Sequence, residues 1–281
     1  MVFTEKTFIL RAEFHFFIKP KGEWVKSVIV TGSTSGIGLG VAKVFAKNGY
    51  RVVLNGVEEP ASVLPLIEEI KEMSSQDALY APCDLSTSDG CYEIVKMCVK
   101  AFGTVDVVVN NAGIQHKALA QNFDDDKWRK VIALNLEAAF YISKAALPYM
   151  YEKQWGRLIH VSSVHGLVAS TEKAAYVAAK HGLLGLSKVF ALEAAGTGVT
   201  SNCICPGWVL TPLVEKQIQG IADKEGISFE SAKDKLLREK QPSGEFATPE
   251  QMGESAFYLA SDAASQMTGA HLTIDGGWSA Q

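Results

Sequence analysis

From Val25 onward the chain alternates two textures: short runs of Val, Ile and Leu, and longer stretches in which apolar residues return every three or four positions. A continuous apolar run fits a strand buried on both faces, and a return near 3.6 fits a helix lying against it. The predicted strands are residues 27–31, 51–55, 78–82, 105–110, 157–161, 199–204 and 272–274, most of them separated by helical segments of ten or more residues. Such alternation calls for parallel strands joined by right-handed crossovers. The expected fold is α/β: a doubly wound parallel sheet with helices on both faces, in a single domain over residues 22–281.

Two stretches break the rhythm. Residues 1–21 hold an apolar patch that Arg11 and Glu13 interrupt, too short and too charged to span a bilayer, and they are expected to form an extension outside the core. Residues 211–241 are strongly charged and helical in pattern. They lie between the sixth strand and a helix opened by Thr248-Pro249-Glu250-Gln251, which offers a capping threonine, a first-turn proline and a glutamine three residues after the cap. An insertion just after a strand suits a helical lid over the ligand crevice, although a solvated helical pair would have the same composition.

Composition narrows the chemistry by exclusion. The net charge of -4 gives no basic face for nucleic acid or an anionic membrane, which leaves small molecules as the expected partners. The five cysteines never form a C-x-x-C pair, so buried reduced thiols in a cytoplasmic protein are expected, and no metal site.

The residues from Val30 to Gly38, with glycines at 32, 36 and 38, leave a predicted strand and enter a helix. Strand, glycine turn and helix in that order cradle a pyrophosphate against backbone amides at the helix start. The acid often found at the tip of the next strand is missing or displaced: the tip reads Leu54-Asn55-Gly56-Val57, with Glu58 and Glu59 beyond. No Lys or Arg stands at Ser33, Thr34 or just after Leu54 to neutralise a 2'-phosphate, so NAD is expected over NADP. Tyr176 and Lys180 stand four apart and share a helix face, where an ammonium would lower the tyrosine pKa toward acid/base use. Ser163 and Asn110-Asn111-Ala112-Gly113 follow strand ends, and Asn135 sits between leucines inside a helix, where it needs a hydrogen-bonding reason.

Together Thr31-Gly32-x-x-x-Gly36-x-Gly38, Asn110-Asn111-Ala112-Gly113, Ser163, Tyr176-x-x-x-Lys180 and Pro206-Gly207 resemble the short-chain dehydrogenase/reductase family, in order from about Val25 to the C-terminus. The resemblance implies a Rossmann-type fold and an oxidoreductase with Tyr176 as acid/base, Ser163 holding the substrate oxygen, Lys180 on the nicotinamide ribose and Asn135 anchoring a relay water. It likewise implies cofactor contacts from Gly32, Ser33, Thr34, Ser35, Gly36, Ile37, Gly38 and Val57, and from Asp84, Leu85, Asn111, Ala112 and Gly113. Tyr176, Lys180, Pro206, Gly207, Val209 and Thr211 complete that set. Within the family, Gln115, His165, Lys173, Trp208, Gln217 and the ending Gly276-Gly277-Trp278 resemble the members that act on short 3-hydroxy acids. That implies NAD-linked oxidation of (R)-3-hydroxybutyrate to acetoacetate, a ketone body reaction, in a homotetramer. Gln115, His165, Lys173 and Gln217 would hold the carboxylate, with Trp208 and Trp278 closing the pocket beside Ser163 and Tyr176. Cationic and amide donors beside the reacting centre suit a short acid independently. An NADPH-dependent 3-oxoacyl carrier-protein reductase would call for basic residues near Ser33 or Val57, and a non-catalytic nucleotide-binding protein would not need Ser163, Tyr176 and Lys180 intact.

Overall fold

A computed structural model describes residues 25–281; the expected extension, 1–21, lies outside the described residues. All seven predicted strands are present: β1 Ser27–Val30, β2 Arg51–Asn55, β3 Ala78–Ala81, β4 Val107–Asn110, β5 Gly156–Val161, β6 Val199–Pro206 and β7 His271–Ile274. They form one parallel sheet in the order β3-β2-β1-β4-β5-β6-β7. The order reverses between β1 and β4, and a crevice at the carboxyl ends of strands beside such a switch is where open α/β sheets bind ligands.

Alternation along the central strands decides which helices cover which face. Val28, Val30, Val107 and Val109 pack with α1 (Gly36–Lys47), α2 (Pro60–Ser74) and α9 (Pro249–Ala260). Ile29 and Val108 point the other way, toward α3 (Ser88–Phe102), α5 (Ala138–Lys153) and α6 (Ala174–Glu193). Helices α1 and α9 approach closely because a Cβ at Gly40 would fall on Pro249 and one at Gly253 on Val44. Helix α9 opens with the anticipated capping box between Thr248 and Gln251.

Helix α4 (Asp125–Ile132) runs into α5 through one π-helical stretch, Ala133–Glu137, that carries Asn135. The combined run is apolar enough to cross a membrane by length and composition, but Ile142, Ala146 and Met150 are buried in the core beside α3. The charged stretch after β6 is a helical pair, α7 (Pro212–Glu225) and α8 (Phe229–Lys240), broken at the left-handed Gly226. Val214, Ile218, Ala222, Ala232 and Leu236 give the pair a small core of its own. Its two stems meet at the sheet: Val209 bridges Ala247, and Gln241 accepts from the Trp208 amide at 2.9 Å.

Candidate active site

The glycine turn is shaped by hydroxyls and amides that look inward. Gly32 and Gly36 have φ of 59° and 56°, and a Cβ at Gly38 would strike the Gly32 carbonyl and the Asn111 amide. The Asn111 Nδ2 donates to the Thr31 and Gly32 carbonyls at 2.9 and 3.0 Å, while Thr31 Oγ1 accepts from the amides of Asn111 and Ala112. That fastens the turn to the loop after β4, which carries Gly113, and makes Thr31 a hub that the sequence reading did not single out. Ser33 is fully buried, donating to the Val30 carbonyl and accepting from the Asn55 amide, so its side chain builds the turn. Ser35 begins α1 with no side-chain cap and no acid in the first turn. The amides there, with Ile37 behind them, keep their donors and positive dipole for an anion. Thr211 at the start of α7 lies against Gly36, which brings the helical pair to the edge of the turn.

Around the crevice, Asp84 is exposed with its carboxylate accepting from the Ser86 amide and hydroxyl, and Val57 is exposed. The Leu85 side chain is buried in the α3 face of the core. Pro206, Gly207 and Val209 carry β6 into the helical pair, and a Cβ at Gly207 would strike Gln241 and Asp275.

Tyr176 and Lys180 occupy successive turns of α6, with the Lys180 Nζ 5.5 Å from the tyrosine ring centre. The Ser163 hydroxyl is near enough to the phenol to favour its charged form, and its oxygen accepts from the His165 amide at 3.1 Å. The expected lowering of the tyrosine pKa by Lys180 is not found. Burial pushes Tyr176 above 10, opposed by the Ser163 hydroxyl. The Lys180 ammonium donates to the Val161 carbonyl at 2.7 Å. Lys180 is itself brought down to about 8 by burial. Asn135 pairs with both backbone polar groups of one residue, accepting from the Ile114 amide at 2.9 Å and donating to the Ile114 carbonyl at 3.0 Å. A cavity of about 10 Å³ beside it is lined by Thr31, Asn110 and Asn135, and Asn110 Oδ1 is buried there without a protein partner. That is about the room one water needs.

Toward solvent lies a cavity of about 500 Å³ whose wall includes Lys173, Trp208, Gln217 and Trp278. His165 connects it to the reacting centre: its ring meets Trp278 edge-on at 5.3 Å and Tyr176 at 6.1 Å. Trp208 and Trp278 lie 5.8 Å apart. The Lys173 ammonium stands 2.8 Å from His165 Nε2. Burial, then the Lys173 charge, holds His165 down at about 4, so the ring is neutral. An ammonium can only donate, so Nε2 accepts and Nδ1 carries the hydrogen. His165 Nδ1, Trp208 Nε1 and Gln115 Nε2 are buried without partners. Gln115 itself is not part of the cavity wall. Lys117, Lys224 and Lys240 at the rim were missed in the sequence, where they look like ordinary surface charge.

A glycine turn at the switch point and a Ser-Tyr-Lys group facing it define an oxidoreductase that pairs a nicotinamide cofactor with side-chain proton transfer. The family model described as short chain dehydrogenase matches residues 26–222, and the chain belongs to that family. It is 49% identical over 256 residues to a D-beta-hydroxybutyrate dehydrogenase of Cupriavidus necator, covering 91% of this chain and 98% of that one. A D-beta-hydroxybutyrate dehydrogenase of Rhizobium meliloti is 46% identical over 256 residues, covering 91% and 99%. Among solved structures, L-sorbose reductase from Gluconobacter frateurii complexed with NADPH and L-sorbose superposes with a TM-score of 0.87 at 28% identity, covering 92% of this chain and 98% of that one.

Proposed function

We propose that the protein interconverts (R)-3-hydroxybutyrate and acetoacetate with NAD. The observation that carries this reading is the Lys173 ammonium in the cavity wall beside buried donors, His165 Nδ1 and Trp208 Nε1, that have nothing to bond. Donors without acceptors suit an anionic group, and the paired indoles suit a short carbon chain. Two relatives of nearly the same length, named for this substrate, support it.

The turn between β1 and α1 fits a dinucleotide, since its uncapped helix start has no acid to compete with a pyrophosphate. When bound, the nicotinamide takes up or supplies the hydride at C3 of the substrate. The chain's own residues manage the proton. Ser163 orients the substrate oxygen and Tyr176 exchanges the proton with it. Reduction of the ketone uses the protonated phenol, and oxidation of the alcohol uses the phenolate. Lys180, at about 8, is the neighbouring group that changes charge near working pH. The small cavity at Asn135 and Asn110 supports a relay water there.

NAD rather than NADP is supported by the lack of any Lys or Arg at positions 33–34 or 55–59. Helices α7 and α8 act as the lid, hinged at the joined stems, with Gln217 reaching the substrate from above. Five buried free thiols support a reducing compartment, the cytoplasm. The homotetramer is supported by Phe140, Val189 and Leu192, exposed on α5 and α6. The test is NADH formation by purified protein given (R)-3-hydroxybutyrate and either cofactor. Turnover with NAD supports the reading, and none with any short 3-hydroxy acid overturns it.

A further inference from the structure

The missing acid at the tip of β2 is resolved by the structure in an unexpected place. Asn55, the last residue of the strand, is buried and spent: its Oδ1 accepts from the Gly32 amide at 3.1 Å, and its Nδ2 donates to the Ala81 and Cys83 carbonyls at 2.9 and 3.1 Å. It holds the glycine turn to β3 and has no role left for a ligand. Gly56 has no side chain, and Val57 is apolar and 85% exposed. The chain then turns back. Glu58 Oε1 accepts from the Thr34 hydroxyl of the glycine turn at 2.8 Å, and the Tyr80 hydroxyl donates to the Glu58 carbonyl at 2.8 Å and lies 3.4 Å from Oε2. A Cβ at residue 56 would fall on Glu58 Oε2, so the carboxylate stands where a side chain of residue 56 would begin.

We infer that Glu58, folded back over Gly56 and pinned by Thr34 and Tyr80, is the residue that selects the cofactor by its ribose. The inference rests on the NAD reading above and deepens it. A carboxylate at the strand tip next to the phosphate-binding turn accepts hydrogen bonds from ribose hydroxyls and repels a 2'-phosphate. Its charge is in place: burial opposes it, but the bonds from Thr34, the backbone amides of Glu58 and Val57, and Tyr80 together keep its pKa below the usual 4.5. Among the described residues no Lys or Arg lies within ion-pair distance of it, so the charge is free to act on a ligand. Thr34 and Tyr80 are positioning residues, and Gly56 is needed because any Cβ would evict the carboxylate.

The test measures kcat/KM with NAD and with NADP for the wild type, Glu58→Gln, Gly56→Ala, Thr34→Val and Thr34→Ser, with NADH binding followed separately by fluorescence. A hydrogen bond to a charged group contributes about 1.5–3 kcal/mol. Glu58→Gln is therefore expected to lower the NAD-over-NADP preference by roughly ten- to a hundredfold. The loss should fall on KM, with weaker NADH binding. Gly56→Ala keeps the charge but displaces it, and should reproduce most of the effect. Thr34→Val should lose part of the preference, and Thr34→Ser should restore it. A wild type that prefers NADP overturns the NAD reading itself, and the role of Glu58 with it. A wild type that prefers NAD while Glu58→Gln and Gly56→Ala keep the same preference overturns this inference alone.

Discussion

Replacing Lys173 with methionine keeps the aliphatic stem against Trp208, whose ring lies 5.8 Å from the ammonium, and removes only the charge. Two effects follow. The substrate carboxylate loses a cation, and His165 loses the donor 2.8 Å away that fixes its hydrogen on Nδ1. A charge-assisted hydrogen bond contributes about 1.5–3 kcal/mol, so kcat/KM for (R)-3-hydroxybutyrate should fall roughly ten- to a hundredfold. The group binds the substrate and does not touch the transferred atoms, so the fall should appear in KM with kcat nearly kept. The pH profile gives an independent signature. Burial first, then the Lys117 charge, lowers Lys173 to about 8. The binding form is the ammonium, present below that value and lost as pH rises through it. Wild-type KM should therefore climb above about pH 8, and in Lys173→Met that limb should vanish. Steady-state rates from pH 6 to 10 read both. A KM within twofold of wild type, or a limb that persists in the variant, refutes the assignment of Lys173 to the carboxylate.

Other outcomes follow from the same geometry. Tyr176→Phe should cut kcat by about 10² to 10⁴ while NADH still binds, as fluorescence titration would show. His160 is fully buried between Asn110 and Ser201, and burial, aided by the Lys180 charge, holds it at about 4 against 6.5 when free. The unfolded chain thus takes up a proton that the folded one refuses, and stability should be lost as pH falls from about 6.5 to 4, with His160 contributing roughly 3 kcal/mol and His165 adding to the loss over the same window. Urea unfolding at both ends of that window should show a smaller difference for His160→Asn. Leu192→Glu on the exposed face of α6 should yield a smaller assembly by light scattering, with the fold intact by circular dichroism.

Much of the fold was legible because the strands carry continuous apolar runs, which only a doubly covered sheet tolerates. The glycine turn and the Tyr176-Lys180 pair were legible because their spacing is local. What was hidden depends on partners far along the chain. Asn135 announced a hydrogen-bonding need, but the Ile114 backbone that meets it lies 21 residues earlier, and the π-helical stretch that carries Asn135 has no sequence mark. The tyrosine shift ran opposite to expectation because Tyr176 is buried by distant elements that the local Tyr-Lys spacing does not reveal. Glu58 could be noticed only as an acid slightly out of place. Its return over Gly56 follows from Tyr80, on a neighbouring strand, and Thr34, on the turn.

The central claim is that donors around His165 and Lys173 hold a carboxylate while Tyr176 exchanges a proton with the hydroxyl at C3. Initial rates of NADH formation from (R)-3-hydroxybutyrate and from its methyl ester, under identical conditions, test it most directly. The acid should turn over rapidly, and kcat/KM for the ester should be ten- to a hundredfold or more lower, by about 1.5–3 kcal/mol of lost charge-assisted bonding. Equal turnover of acid and ester, or none of the acid, would contradict it.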